Sequence, residues 1–156
     1  MTRKGANLAL LLLGGFRQLA DAATVELSRR GYPELRPAQE FALRAIAAGA
    51  TSASELGRRM SISKQAAAKV IALLEGRGYL ARRDDEADSR RKLLVVTPLG
   101  HEAMQAGEAI FDELRSVWAQ NIGAEALDQL ERNLALLVGD AGVDEDAAAW
   151  SGLDPQ

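Results

Sequence analysis

The chain has no cysteine, one histidine and few aromatic residues, with two Trp, two Tyr and three Phe among 156 positions. The absence of cysteine excludes disulfides, thiolate metal sites and cysteine redox sensing, and it fits a reducing, cytoplasmic setting. One histidine without cysteine also disfavours a dedicated transition-metal sensor. We therefore expect no metal and no cofactor. The apolar fraction of 47% is ample for a packed core.

Long hydrophobic runs are also missing. The apolar run Leu8–Leu13 is far shorter than the roughly 20 residues that a bilayer-spanning helix needs. Arg3 and Lys4 precede this run, but Gly14-Gly15-Phe16-Arg17 follows it without a small-residue cleavage site, which argues against a signal peptide. We expect a soluble protein of one domain, without a membrane partner.

Charge is distributed unevenly along the chain. Residues 58–92 hold ten Lys or Arg and five Asp or Glu, a local charge of +5, whereas the rest of the chain carries −8. The total is −3 and the isoelectric point is about 5.3. A uniform acidic charge would argue against nucleic acid, but a phosphate backbone meets the local patch. Charge alone leaves open the alternative that this segment is simply a solvated face.

The two ends of the chain show helical periodicity. Apolar residues at three-, four- and seven-residue spacings predict a helix over residues 5–30, and two further helices over residues 98–121 and 124–138. The last helix carries a short leucine seam, made of Leu127, Leu130, Leu134 and Leu137. The first helix has more apolar surface than one stripe, which indicates burial on two sides, as in an intertwined dimer.

The middle of the chain predicts a helix-turn-helix followed by a hairpin. A helix over residues 38–48 precedes Ser52-Ala53-Ser54-Glu55, a capping box that begins a helix over 53–60. Ser63 is suited to cap the next helix, over 64–77, and strand formers at 79–83 and 92–97 flank a charged tip. This order is a winged helix-turn-helix, which most often holds DNA. The fold class is mainly α with a small β-hairpin (α+β).

Residues 73–100, LLEGRGYLARRDDEADSRRKLLVVTPLG, combine a Gly turn, an Arg-containing strand, the Asp88-Ser89-Arg90 element and the exit Val96-Thr97-Pro98-Leu99-Gly100. This pattern resembles the MarR family of bacterial transcription regulators. Val96 replaces the usual Leu, and Asp84-Asp85-Glu86 stands where the family often has a proline.

The resemblance covers about residues 5–140. It implies a single domain over residues 1–140, with the winged helix-turn-helix at about 37–97 and dimerisation helices at about 5–30 and 98–138. Residues 141–156 form an acidic tail that we expect to be flexible.

The second helix of the helix-turn-helix is expected to lie in the DNA major groove, and its outward side chains are then candidates for base and phosphate contacts. Gln65 is suited to adenine, Lys64 to guanine or phosphate, and Ala68 to a thymine methyl. The other candidates for phosphate contact are Lys69, Arg91, Lys92, Arg82, Arg83, Arg58 and Arg59. Arg91, Lys92, Arg82 and Arg83 are alternatively charges at the edges of the strands. Arg58 and Arg59 alternatively satisfy the dipole of their own helix.

Arg90 on the wing is the strongest single candidate, because a narrow minor groove attracts a guanidinium. The resemblance implies that Asp88 holds the Arg90 side chain. The alternative without a role in DNA binding is that Arg90 forms a surface salt bridge worth about 0–1 kcal/mol.

The resemblance also implies an effector, a small aromatic or anionic compound bound between the dimer helices and the winged unit. Candidate residues near that junction are Phe16, Arg17, Tyr32, Phe41, His101 and Phe111. None forms a recognisable motif, and His101 fits a partly exposed structural residue better than a sensor.

Three function classes follow. The first is a dimeric, sequence-specific DNA-binding regulator, a repressor of a pseudo-palindromic operator on double-stranded DNA. The alternative is a winged-helix protein–protein interaction module without DNA binding, which the acidic wing triplet favours. An enzyme is the weakest class, because no catalytic constellation or phosphate-binding glycine loop stands in the sequence.

Overall fold

The computed structural model describes residues 3–139. Its elements in chain order are α1 (Lys4–Arg29), α2 (Pro37–Ala47), α3 (Ala53–Met60), α4 (Lys64–Gly76), β1 (Leu80–Asp84), β2 (Lys92–Val96), α5 (Pro98–Ile122) and α6 (Ala124–Val138). These bounds lie within one residue of the predicted ones, and the α fold with a small hairpin is confirmed. The predicted acidic tail, residues 141–156, lies outside the described residues.

Hydroxyl side chains begin the helices of the central unit. The Oγ of Ser52 accepts the amide of Glu55 at 3.2 Å, and the Oγ of Ser63 accepts the amide of Ala66 at 3.0 Å. Both caps were predicted. The α3 capping box differs in one respect, because Glu55 Oε2 accepts the amide of Thr51 at 2.8 Å and so reaches one residue further back than expected.

The winged-helix unit, which we define as α2 to β2, has its own apolar core. Antiparallel pairing of β1 with β2 runs from Leu80 opposite Val96 to Asp84 opposite Lys92. Inward side chains of every element in the unit are buried together, among them Leu43, Ile46, Leu56, Ile71, Leu74, Leu80 and Leu94. The wing is anchored further by the amide of Leu94, which donates to the carbonyl of Thr51 at 3.2 Å.

Thr97 joins the wing to α5. Its hydroxyl accepts the amide of Gly100 at 3.1 Å and donates to the carbonyl of Gly78 at 2.5 Å, while its amide donates to the carbonyl of Tyr79 at 3.0 Å. A Cβ at Gly100 would overlap the Tyr79 carbonyl oxygen, so the start of α5 lies directly against the start of the hairpin.

Long helices α1, α5 and α6 pack beside this unit, α1 on α5 and α5 on α6. Burial is incomplete, since α1 buries Ala23 and Leu27 alone. Of the predicted α6 seam, Leu127 is buried whereas Leu137 is 81% exposed. The exposed large apolar residues of α1 and α6 are Leu8, Leu10, Leu11, Leu12, Val25, Leu130, Leu136, Leu137 and Val138.

Among the helices of residues 3–139, α1 is also long and apolar enough to cross a membrane by length and composition. The run Leu8–Leu13 belongs to this longer helix. A core helix of a soluble protein and an N-terminal signal sequence meet the same two criteria. In this structure the C-terminal end of α1 is joined to α5 through Arg30, which binds Glu26 at 3.1 Å and Glu113 at 2.7 Å.

Candidate nucleic-acid interface

The outward face of α4 carries the predicted groove residues. Ser61 adopts the left-handed conformation, with φ 53°, and turns the chain between α3 and α4. Because Ala67, Ile71 and Leu74 are buried, the opposite side of α4 faces solvent. The side chains exposed there are Lys64, Gln65, Ala68 and Lys69. Within the described residues neither lysine takes part in an ion pair, so both charges are available to a ligand.

The wing tip is a turn organised by two aspartates. Asp85 Oδ1 accepts the amide of Ala87 at 2.9 Å, and Asp88 Oδ1 accepts the amide of Arg90 at 3.0 Å. The expectation that Asp88 holds the Arg90 side chain is therefore corrected, since the carboxylate holds the Arg90 backbone. The Arg90 guanidinium is exposed and has no ion pair among residues 3–139.

Two predicted phosphate contacts on the wing already have partners. Lys92 pairs with Asp84 across the hairpin, and Arg91 pairs with Glu55 of α3 at 3.4 Å. The pKa of Glu55 is lowered, chiefly by the hydrogen bond from the Thr51 backbone and to a smaller extent by Arg91, which keeps Glu55 ionised at neutral pH. The Arg91 pair joins the wing to α3, whereas the Lys92 pair lies within the hairpin.

Arg82 and Arg59 also bind groups within the protein. The guanidinium of Arg82 binds Glu75 of α4 through two nitrogens, at 2.9 and 3.1 Å. Arg59 donates to the carbonyls of Ala45 and Ala48 at 3.4 and 3.3 Å, so it binds the C-terminal end of α2. Sequence reasoning missed this partner because α2 and α3 meet only through tertiary packing.

The remaining basic side chains of residues 58–92 form the free basic set. They have no ion pair within the part of the chain that the structure describes, and they lie at the end of α3, on α4 and on the wing. The set consists of Arg58, Lys64, Lys69, Arg83 and Arg90. An unpaired cation meets phosphate without first losing an internal partner, so this set is the strongest part of the candidate surface.

The predicted effector residues do not all come together. Phe41 lines a recess of about 410 Å³ between α2 and α5, with Phe111 on the opposite wall. Tyr32 instead faces Tyr79, with ring centroids 6.5 Å apart. Phe16 is half-buried on α1, while Arg17 and His101 are exposed.

A second recess was not foreseen from the sequence. It has a volume of about 650 Å³ and lies where α1, α2 and α4 meet, with three arginines on its walls. Two of them, Arg29 and Arg36, flank it, and the third, Arg77, pairs with Glu34. Their sequence positions gave no signal, because they belong to three separate elements.

Residues 35–91 match the sequence model of the MarR family. This match agrees with the resemblance that residues 73–100 carry, and it lies almost wholly within the winged-helix unit. Among curated proteins, no sequence matches the chain significantly.

Solved structures share the fold across most of their length. FabT of Streptococcus pneumoniae in complex with DNA superposes with a TM-score of 0.69 at 15% identity, over 85% of this chain and 93% of FabT. A MarR-family transcriptional regulator from Rhodococcus sp. RHA1 gives 0.66 at 18% identity, over 90% and 99%. The F27L mutant of MepR from S. aureus, bound to an oligodeoxyribonucleotide, gives 0.58 at 19% identity, over 84% and 95%.

Proposed function

We propose, from the match of residues 35–91 to the MarR family model, that the protein is a dimeric, sequence-specific DNA-binding transcription regulator of the cytoplasm. It acts as a repressor on a pseudo-palindromic operator, and a small-molecule effector releases it. The observation that carries the proposal is the exposed face of α4, whose Lys64 and Lys69 have no ion pair within residues 3–139.

The α4 face has the side chains that major-groove recognition requires. Gln65 lies in the first turn of the helix, where side chains reach deepest, and an amide is suited to the N6 and N7 atoms of adenine. Lys64 beside it donates to guanine or to phosphate, and Lys69 lies one turn further along for phosphate. The small Ala68 side chain between them lets the α4 backbone come close to the bases of the groove.

The wing supplies the second contact. Since Asp88 holds the backbone of the tip, the Arg90 guanidinium is presented without being neutralised by that carboxylate. Arginine inserts into a narrow minor groove because the potential there is strongly negative. Arg91 and Lys92, which pair with Glu55 and Asp84, act as wing supports.

The exposed apolar surface supports a dimer. Soluble monomers rarely leave large apolar patches exposed, and α1 and α6 each expose several leucines. Leu10 and Leu11 are 65% and 64% exposed, and Leu136 and Leu137 are 82% and 81% exposed. A second copy related by a two-fold axis covers these faces and presents two α4 helices to half-sites about one helical turn apart.

An effector has suitable space near the junction of the two parts. The recess with Phe41 and Phe111 lies between α2 and α5, and a small aromatic compound there contacts both the winged-helix unit and a dimerisation helix. The recess with Arg29, Arg36 and Arg77 suits an anion instead. Binding that favours one arrangement of α2 against α5 changes the spacing of the two α4 helices.

The test is fluorescence anisotropy with duplex DNA from upstream of the protein's own gene, measured against random duplex over a salt series. We expect salt-dependent binding with a preference for the upstream sequence. Arg90→Ala should weaken this binding by about 1–3 kcal/mol, whereas Arg132→Ala, an exposed arginine on α6, should leave it unchanged. Equal affinity for both duplexes, in a sample confirmed as a dimer, would favour a protein-interaction module.

A further inference from the structure

One charged side chain lies wholly inside the described part of the fold. Glu40 of α2 is 0% exposed and is the only buried charged residue among residues 3–139. Its Oε1 accepts two hydrogen bonds from Arg44, at 2.7 and 3.2 Å. Its Oε2 has no hydrogen-bond partner in this part of the chain. A buried carboxylate oxygen without a donor is costly, so it calls for an explanation beyond packing.

The backbone of α5 makes room for this carboxylate. A Cβ atom at Gly107 would lie within 2.7 Å of all three atoms of the Glu40 carboxylate group. Arg44 connects the same two helices, since it also donates to Glu108 Oε1 at 2.7 Å and to the carbonyl of Met104 at 3.5 Å. We call Glu40, Arg44, Gly107 and Glu108 the α2–α5 junction.

Burial of Glu40 between α2 and α5 favours its neutral form. Burial raises the pKa of Glu40, Arg44 on α2 opposes this increase, and Glu108 on α5 adds to it. Asp112 of α5 brings a further carboxylate to the adjoining recess. If α2 and α5 separate, water solvates the carboxylate and its pKa returns toward the ordinary value. The closed junction therefore holds a proton on Glu40 more tightly than an open junction would.

We propose that the α2–α5 junction is a proton-linked contact, in which uptake of one proton by Glu40 stabilises the closed arrangement and thereby sets DNA affinity according to pH. The link to DNA affinity rests on the proposed function. There, α2 belongs to the winged-helix unit and α5 to the dimerisation helices, so their arrangement changes the spacing of the two α4 helices. A single linked proton changes an equilibrium constant by at most about tenfold per pH unit.

The DNA test uses the full-length chain and its upstream duplex, with anisotropy from pH 5 to 8 at constant ionic strength. We expect the dissociation constant of the wild type to change three- to tenfold, and that of Glu40→Gln to stay constant. His101 is the only histidine of the chain, and it lies outside the α2–α5 junction. His101→Gln should therefore follow the wild type. A flat wild-type profile, or one that His101→Gln abolishes, overturns the proposal.

A second measurement is independent of DNA and of any variant. Carbon-13 NMR of the glutamate carboxyl groups in the folded wild-type chain reports the titration of Glu40 directly. The proposal predicts one carboxyl that titrates well above the others. If all glutamates titrate in the ordinary range, the junction is not proton-linked, even where DNA binding is specific. A raised Glu40 without DNA preference would instead refute the proposed function and leave the proton linkage standing.

Discussion

Gly107→Ala tests the packing of the α2–α5 junction most directly. The added methyl group would lie within 2.7 Å of the Glu40 carboxylate atoms, and real Cβ atoms do not come this close to a neighbour. Glu40 must therefore move, and its two hydrogen bonds from Arg44 are lengthened or lost. The helix itself gains from the substitution, because alanine is a better helix former than glycine.

These contributions determine how far Gly107→Ala lowers the free energy of unfolding. Overpacking costs about 1–3 kcal/mol, and disturbing a buried charged pair adds up to about 3 kcal/mol. The higher helix propensity of alanine offsets about 1 kcal/mol of this loss of stability. We expect the free energy of unfolding to fall by about 2–4 kcal/mol, which corresponds to a decrease in Tm of roughly 5–15 °C for a chain of this size.

The assay is urea unfolding at fixed protein concentration, since association shifts apparent stability. Gly76→Ala is the matched control, because nothing lies within 4 Å of a Cβ at Gly76 and the same substitution there should raise stability by up to about 1 kcal/mol. In a Glu40→Ala background, Gly107→Ala should lower the free energy of unfolding much less than it does in the wild type. If Gly107→Ala lowers the free energy of unfolding equally in both backgrounds, the clash with Glu40 is not the cause of the destabilisation.

Three further predictions concern other parts of the molecule. Ser63→Ala removes the 3.0 Å cap of α4 and should lower the free energy of unfolding by about 1 kcal/mol, as measured by urea denaturation. Leu11→Asp places a charge on the exposed face of α1 and should convert the dimer to a monomer in sedimentation, and an unchanged dimer would exclude this face from the interface. Arg91→Ala breaks an exposed pair with Glu55 and should change stability by less than about 1 kcal/mol, while weakening DNA binding less than Arg90→Ala does in the same anisotropy assay.

Local signals explain why the helix bounds could be predicted. Ser52 and Ser63 cap their helices through hydrogen bonds spanning three residues, and such contacts are visible in the sequence itself. The exposed face of α4 was equally accessible, because it is the complement of the buried stripe that contains Ala67 and Ile71.

Contacts between distant elements could not be predicted in this way. Glu40 and Arg44 have the i, i+4 spacing of an ordinary surface ion pair, and only the approach of α5 at Gly107 buries the carboxylate. The partners of Arg59 and Arg91 likewise depend on how α3 packs against α2 and the wing. The dimer and the effector site stay predictions.

The joint at Thr97 has a mechanical consequence. Because Thr97 fixes the start of α5 to the start of the hairpin, the wing and this helix rotate together. The helix has 25 residues and is therefore about 37 Å long. A tilt of about 5° imposed at its far end displaces the wing by roughly 3 Å, close to the spacing of successive base pairs, about 3.4 Å. A rearrangement too small to alter the core would thus displace the wing by a distance comparable to one base step.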